Sequence, residues 1–150
     1  MQAITHTETT ATTLQEQMVA LVRAFGLHQP ERTPCGQPLP VAEAHALHEL
    51  ARSAPMAQRD LARWLRLEKS TVSRLVAILE QKGWVARQRS TTDGRVLMLE
   101  LTVAGKTIAS QLAEARQARF AQLTVAIPNE QRAAVLSALH ILVKAIDASQ

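Results

Sequence analysis

Lys69-Ser70-Thr71-Val72-Ser73-Arg74 sets three short hydroxyls between an ammonium and a guanidinium. Small hydroxyl side chains let a backbone approach a nucleic acid closely and hydrogen-bond its phosphates or base edges. An arginine fork matches O6 and N7 of guanine. The six residues lie inside a strongly basic stretch. Residues 52–95 hold ten Lys and Arg against four Asp and Glu, a net +6, whereas the rest of the chain has seven against nine, a net −2. Eight of the ten are Arg, the residue better suited to bidentate contacts with guanine or phosphate. A basic middle between near-neutral ends suits a nucleic-acid-binding module held by a separate scaffold. A solvated surface laced with ion pairs has the same composition, so the elements that carry the charges must decide. The chain has no Tyr, two Phe and two Trp, which argues against a platform that stacks single-stranded bases.

Val72, Leu75, Val76 and Leu79 recur at i, i+3, i+4 and i+7. That spacing predicts a helix over 69–82 with this stripe buried and Lys69, Ser70, Thr71, Ser73, Arg74 and Ala77 outside. Gly83 stands where such a helix needs a left-handed residue to stop. Upstream, residues 56–65 predict a short helix with Leu61, Ala62 and Leu65 on one face, and Arg66-Leu67-Glu68 form the turn between the two. Downstream, β-prone runs over 84–89 and 96–101 flank a polar turn containing Asp93-Gly94, the signal of a hairpin. Helix, tight turn, helix and hairpin, in that order, make a winged helix-turn-helix. In that arrangement the first two turns of the 69–82 helix reach base edges in the major groove. Arg95 at the hairpin tip is set to enter an adjacent narrow minor groove, where negative potential is enhanced. Asp93 is expected to support the wing through an ion pair with Arg87 or Arg89.

The remaining elements are helical. Residues 1–13 read as a disordered polar tail, and 14–27 as an amphipathic helix carrying Leu14, Met18, Leu21, Val22 and Phe25. Five Pro and Gly between Pro30 and Pro40 make 28–40 a linker, and a second helix over 41–52 is expected to bury Ala44, Leu47, Leu50 and Ala51. Thr102 caps a long helix reaching about Ala126, roughly 37 Å at 1.5 Å per residue, which Pro128 breaks. A last helix over 129–148 carries Leu136, Leu139, Val143 and Ile146 at 3-4-3 spacing, suited either to an internal core or to a seam between two chains. The long preceding helix cannot bury its far end in one small domain, which favours the seam. The fold class is thus mainly α with a small β-hairpin wing: a winged helix-turn-helix plus a helical dimerisation region.

The chain has 150 residues with 47% hydrophobic content, enough to bury a core. No apolar run approaches the roughly 20 residues a spanning helix needs, and the N-terminus lacks the pattern of a signal peptide, so a cytoplasmic protein is expected. A single cysteine, Cys35, excludes an internal disulfide framework and a zinc site built of cysteines alone.

The stretch Asp60-Leu61-Ala62-Arg63-Trp64-Leu65-Arg66-Leu67-Glu68, running into Lys69-Ser70-Thr71-Val72-Ser73-Arg74-Leu75-Val76, resembles the MarR family of bacterial transcriptional regulators. So do Leu79-Glu80-Gln81-Lys82-Gly83-Trp84-Val85, Asp93-Gly94-Arg95 and Leu101-Thr102-Val103-Ala104-Gly105. The motifs cover about residues 56–105. The resemblance implies an obligate homodimer, with residues 14–52 and 102–150 as the dimerisation region and 53–101 as the winged helix-turn-helix. It implies a palindromic double-stranded DNA operator, repression as the usual outcome, and release by a small molecule, an oxidant or a metal. By the same resemblance Ser70, Thr71, Ser73 and Arg74 match the groove-reading positions and Arg95 the wing-tip arginine. Two features depart from the pattern. Ala57 stands where a Ser or Thr often caps the third helix, and the Pro-rich linker is unusual.

Cys35, His45 and His48 form an ambiguous group for sensing an effector. His45 and His48 stand at i, i+3 on one side of a helix, ten residues beyond Cys35, with Glu31 and Glu43 as further carboxylates. These are zinc-type ligands, and a thiol can sense oxidants, yet no spacing here is diagnostic of either. An unremarkable thiol is the simpler reading, and no cofactor is required. Against the regulator stands one competing class, a winged-helix interaction or architectural module without a specific operator. An enzyme is poorly supported, because the chain has no nucleotide-binding glycine loop and no nucleophile–base set.

Overall fold

The computed structural model describes residues 2–149, with side chains from Glu8 onward. Its elements run α1 (Gln2–Phe25), α2 (Val41–Ser53), β1 (Met56–Ala57), α3 (Gln58–Leu65), α4 (Lys69–Gln81), β2 (Val85–Arg89), β3 (Leu97–Leu101), α5 (Val103–Ala126) and α6 (Arg132–Ala148). A 3₁₀ turn, Asn129–Gln131, precedes α6. The chain divides into two units, one ending at Ala113 and the other beginning at Glu114. No helix among the described residues is long and apolar enough to cross a membrane.

In the first unit the core is built by the predicted stripe. Val72, Leu75, Val76 and Leu79 of α4 are all buried, together with Leu61 of α3, Leu47 and Leu50 of α2, and Leu99 of β3. Burying leucine and valine side chains at this density contributes roughly 1.5–3 kcal/mol each. Packing therefore draws α2 into the winged-helix core, whereas the sequence grouped residues 14–52 with the outer helices. Ala46, not Ala51, completes the inner face of α2.

The sheet is antiparallel and three-stranded, in the order β1-β3-β2. Val85 pairs with Leu101 and Arg89 with Leu97 across the hairpin, while Met56 pairs with Leu99 on the other edge. Met56 and Ala57 were expected inside the third helix. They instead add a short strand, and α3 starts only at Gln58. Ala57 is the N-cap residue and gives α3 no side-chain cap, as its residue type implied.

Turns between the elements are closed by local hydrogen bonds. Arg66 takes a left-handed conformation, φ 54°, that ends α3 within one residue, and Leu67 donates back to the Ala62 carbonyl. Gly83 (φ +73°) ends α4, and the Trp84 N–H reaches the Leu79 carbonyl at 3.0 Å. Thr102 caps α5: its hydroxyl oxygen accepts the Gly105 N–H at 3.0 Å and its hydroxyl proton goes to the Gly83 carbonyl at 2.6 Å. A Cβ on Gly105 would lie 1.9 Å from the Trp84 carbonyl oxygen, so only glycine lets α5 approach this closely.

Residues 28–40 form neither helix nor strand, as their prolines require. The linker is still tied down. Leu39 enters the core, Val41 donates to the Pro30 carbonyl at 2.9 Å, and the Thr33 hydroxyl oxygen accepts the Gln37 N–H at 3.0 Å. The expected tail over 1–13 needs correction, because α1 already includes Gln2. The Thr12 and Thr13 hydroxyls donate to the Glu8 and Thr9 carbonyls at 3.0 Å, so polar side chains bond to the helix itself. Met1 lies outside the described residues.

In the second unit α6 has no buried residue; Leu136 is 69% and Ile141 63% exposed.

Candidate nucleic-acid interface

The core stripe of α4 fixes which of its residues face out. Lys69, Ser70, Ser73, Arg74 and Ala77 are exposed, and Thr71 is half-buried beside Val72. All five polar residues predicted on this helix thus share its outer side and first two turns. The N-cap Glu68 makes no side-chain cap, so the first backbone N–H groups and the positive end of the helix dipole are open to an anionic partner.

Charge pairing sorts the basic residues into two sets. Arg63 lies 3.8 Å from Asp60, Lys82 2.6 Å from Glu43 and Arg87 2.8 Å from Glu80. Lys69, Arg74 and Arg95 make no such pair among the described residues. Lys69 and Arg74 on outer α4 and Arg95 at the wing tip are exposed and so offer positive charge to a polyanion.

The wing tip is organised by its own backbone. Ser90 accepts the N–H groups of Thr92 and Asp93 at 3.3 Å, Arg89 donates to the Gly94 carbonyl at 2.8 Å, and Asp93 Oδ1 accepts the Arg95 N–H at 3.0 Å. The expected ion pair between Asp93 and Arg87 or Arg89 is not formed. Arg87 turns instead to Glu80 on α4, which joins the base of the wing to the helix. Asp93 thus contacts a backbone amide of the tip, and Arg87 an acid on α4, in place of the expected pairing.

The remaining candidates are not brought together. Cys35 is half-buried with its sulfur 3.0 Å from the Thr33 hydroxyl, His45 is exposed and His48 half-buried. Among the described residues no three His, Cys, Asp or Glu side chains are grouped to hold a metal ion.

Two features were missed from the sequence. One is the buried Glu43 with its partner Lys82, whose ammonium also lies 4.9 Å from the Trp84 ring centroid. The residues are 39 positions apart, and no local pattern links them. The other is the part β3 plays in a cavity of about 480 Å³: a pocket is expected among the first, second and fifth helices, and this one is lined by Leu50, Ala51, Pro55, Leu101, Lys106 and Ala109.

Comparison with known proteins bears on the winged part of the chain and on the fold as a whole. A MarR family model matches residues 37–96, the span from the linker through the wing. The winged helix-turn-helix part of the chain is similar to the MarR family. An uncharacterised HTH-type transcriptional regulator of Mycobacterium leprae is 23% identical over 139 residues, 93% of this chain and 94% of the relative. The HTH-type transcriptional regulator YxaD of Bacillus subtilis is 32% identical over 77 residues, 51% of this chain and 54% of that one. Among solved structures, Streptococcus pneumoniae FabT in complex with DNA superposes with a TM-score of 0.73 at 19% identity, covering 97% of this chain and 99% of FabT. The S. aureus MepR–DNA complex gives 0.67 at 21% identity over 71% of this chain and 80% of MepR. These likenesses establish the fold, mostly helical with an antiparallel wing. Both curated relatives are named as HTH-type transcriptional regulators, and the part of this chain that the family model matches is its winged helix-turn-helix.

Proposed function

We propose that two copies of the chain read a palindromic DNA operator, each laying α4 in the major groove and its wing along the flanking minor groove. The observation that carries this reading is the outer side of α4, where Lys69, Ser70, Ser73 and Arg74 are exposed and the two cations make no ion pair among the described residues. In this reading Arg74 supplies the fork for a guanine, Ser70, Thr71 and Ser73 bond base edges or phosphates, and Lys69 meets the backbone. Arg95 enters the minor groove from a tip that Asp93 holds in shape. The FabT and MepR structures were solved with DNA, which supports the same use of the fold here.

Dimerisation is assigned to the outer helices, with α6 as the central seam. A helix whose leucines, valines and isoleucines are all at least partly exposed in one chain is stabilised by burying them against a second. The regulator is a repressor of a bacterial cytoplasm, bound to the nucleoid until a small molecule releases it. The cavity beside Lys106 has the size of a small-ligand site. PcaV of Streptomyces coelicolor was solved with its natural ligand and NadR with 4-hydroxyphenylacetate, so other proteins of this fold hold small molecules.

Hydroxyl-radical and methylation footprinting on duplexes recovered by selection tests this reading. Two protected major-groove patches about 10 base pairs apart, with protected minor groove on the outer flanks, are expected for a dimer. One patch alone, or even protection along the whole duplex, would overturn it. Adding zinc, peroxide and small organic acids in separate arms identifies the class of signal that lifts the footprint.

A further inference from the structure

The recognition helix is anchored at the end away from its exposed, uncapped N-terminus. Lys82 follows directly after α4, and its ammonium lies 2.6 Å from Glu43 Oε2 in the first turn of α2. Glu43 is 5% exposed, so its charge has left water and depends on this partner and on the α2 N-terminus. The next two residues are held by a second element. The Gly83 carbonyl accepts the Thr102 hydroxyl, and the Trp84 carbonyl accepts the Thr102 N–H at 3.0 Å. The segment Lys82-Gly83-Trp84 is therefore clamped between α2 and the start of α5. One half of the clamp is a single buried carboxylate with no role in contacting DNA.

We propose that Glu43 is a positioning residue for DNA readout. Its ion pair with Lys82 fixes the end of α4 against α2 and so holds Ser70, Ser73 and Arg74 in register with the base edges. The inference rests on α4 being the recognition helix. An alternative use of the same pair is opposite in sign. If Lys82 were a phosphate ligand that Glu43 merely masks, freeing it would strengthen binding to every duplex.

The full chain is compared with Glu43→Gln, which keeps the shape and removes the charge, with Lys82→Met, and with the double variant. Hydrogen exchange without DNA reads the clamp directly, through the Gly83 and Trp84 amides that bond to Glu80 and Leu79. Affinity for a selected operator and for random duplex, each across a salt series, reads the consequence. We expect faster exchange at those two amides in Glu43→Gln. Operator affinity should fall roughly threefold to thirtyfold, with little change on random duplex and no change in salt slope. The double variant should lose no more than the worse single variant, because both break one interaction. Unchanged exchange would overturn the clamp. Tighter binding of Glu43→Gln to all duplexes, with a salt slope steeper by about one, would show that Lys82 is a masked phosphate ligand. Faster exchange in a protein whose parent prefers no site would support the clamp while removing the recognition-helix reading on which its role in readout depends.

Discussion

Asp93 Oδ1 accepts the backbone N–H of Arg95 at 3.0 Å, so the acid fixes the backbone of the wing-tip arginine, whose guanidinium makes no ion pair among the described residues. Asp93→Ala should weaken operator binding by about 0.5–1.5 kcal/mol, the net value of one hydrogen bond, by loosening the tip before it meets DNA. The melting temperature should hardly move, because the tip is exposed. Arg95→Ala should lose affinity chiefly on operators with A·T-rich flanks. Titration of both variants against duplexes with A·T and G·C flanks checks this; an equal loss on both would mean Arg95 touches only phosphate.

Arg74 carries the most specific prediction. Its removal as Arg74→Ala should cost roughly 1–3 kcal/mol and relax preference at one base position per half-site. Competition with a panel of single-base operator variants measures it. A loss that is equal across the panel would turn Arg74 into a backbone contact.

Gly105 has no room for a methyl group. Because a Cβ there would lie 1.9 Å from the Trp84 carbonyl oxygen, Gly105→Ala must push α5 from the end of α4. A destabilisation of about 1–3 kcal/mol is expected, seen as a melting point lower by several degrees. Gly94→Ala serves as the control, since nothing lies within 4 Å of the added Cβ. Equal melting points for the two variants would contradict the close packing.

The seam on α6 predicts a change of oligomeric state. Leu139→Glu together with Val143→Glu should convert a dimer into a monomer by sedimentation equilibrium, and operator affinity should fall with it. A dimer that survives both charges would assign the interface to other helices.

The winged part of the fold was legible because each of its elements announces itself locally. Val72, Leu75, Val76 and Leu79 repeat with the helical period, Gly83 stops the helix, and Asp93-Gly94 marks the turn. What was not legible lies in contacts between distant residues. Met56 and Ala57 are a strand only because β3 offers them an edge. Two residues carry no periodicity. Arg87 chooses Glu80 over the nearer-looking Asp93 because the reversal at Gly83 lays β2 back against α4, while Asp93 is already satisfied by an amide of its own turn. The Thr-rich start of the chain reads as a tail by composition, yet its hydroxyls bond carbonyls four residues back and follow the helix. Of the candidate site, the exposed side of α4 was readable from the stripe opposite it. Glu43 was not, since its burial follows from how α2 packs on α4.

Selection of bound duplexes from a random library at physiological salt tests the central claim most directly. The account predicts enrichment of a palindrome whose half-site centres lie about one helical turn apart, retained as salt rises even while overall affinity falls. Binding without any enriched sequence, lost steeply with salt, would contradict it and leave a winged helix that holds DNA without reading it.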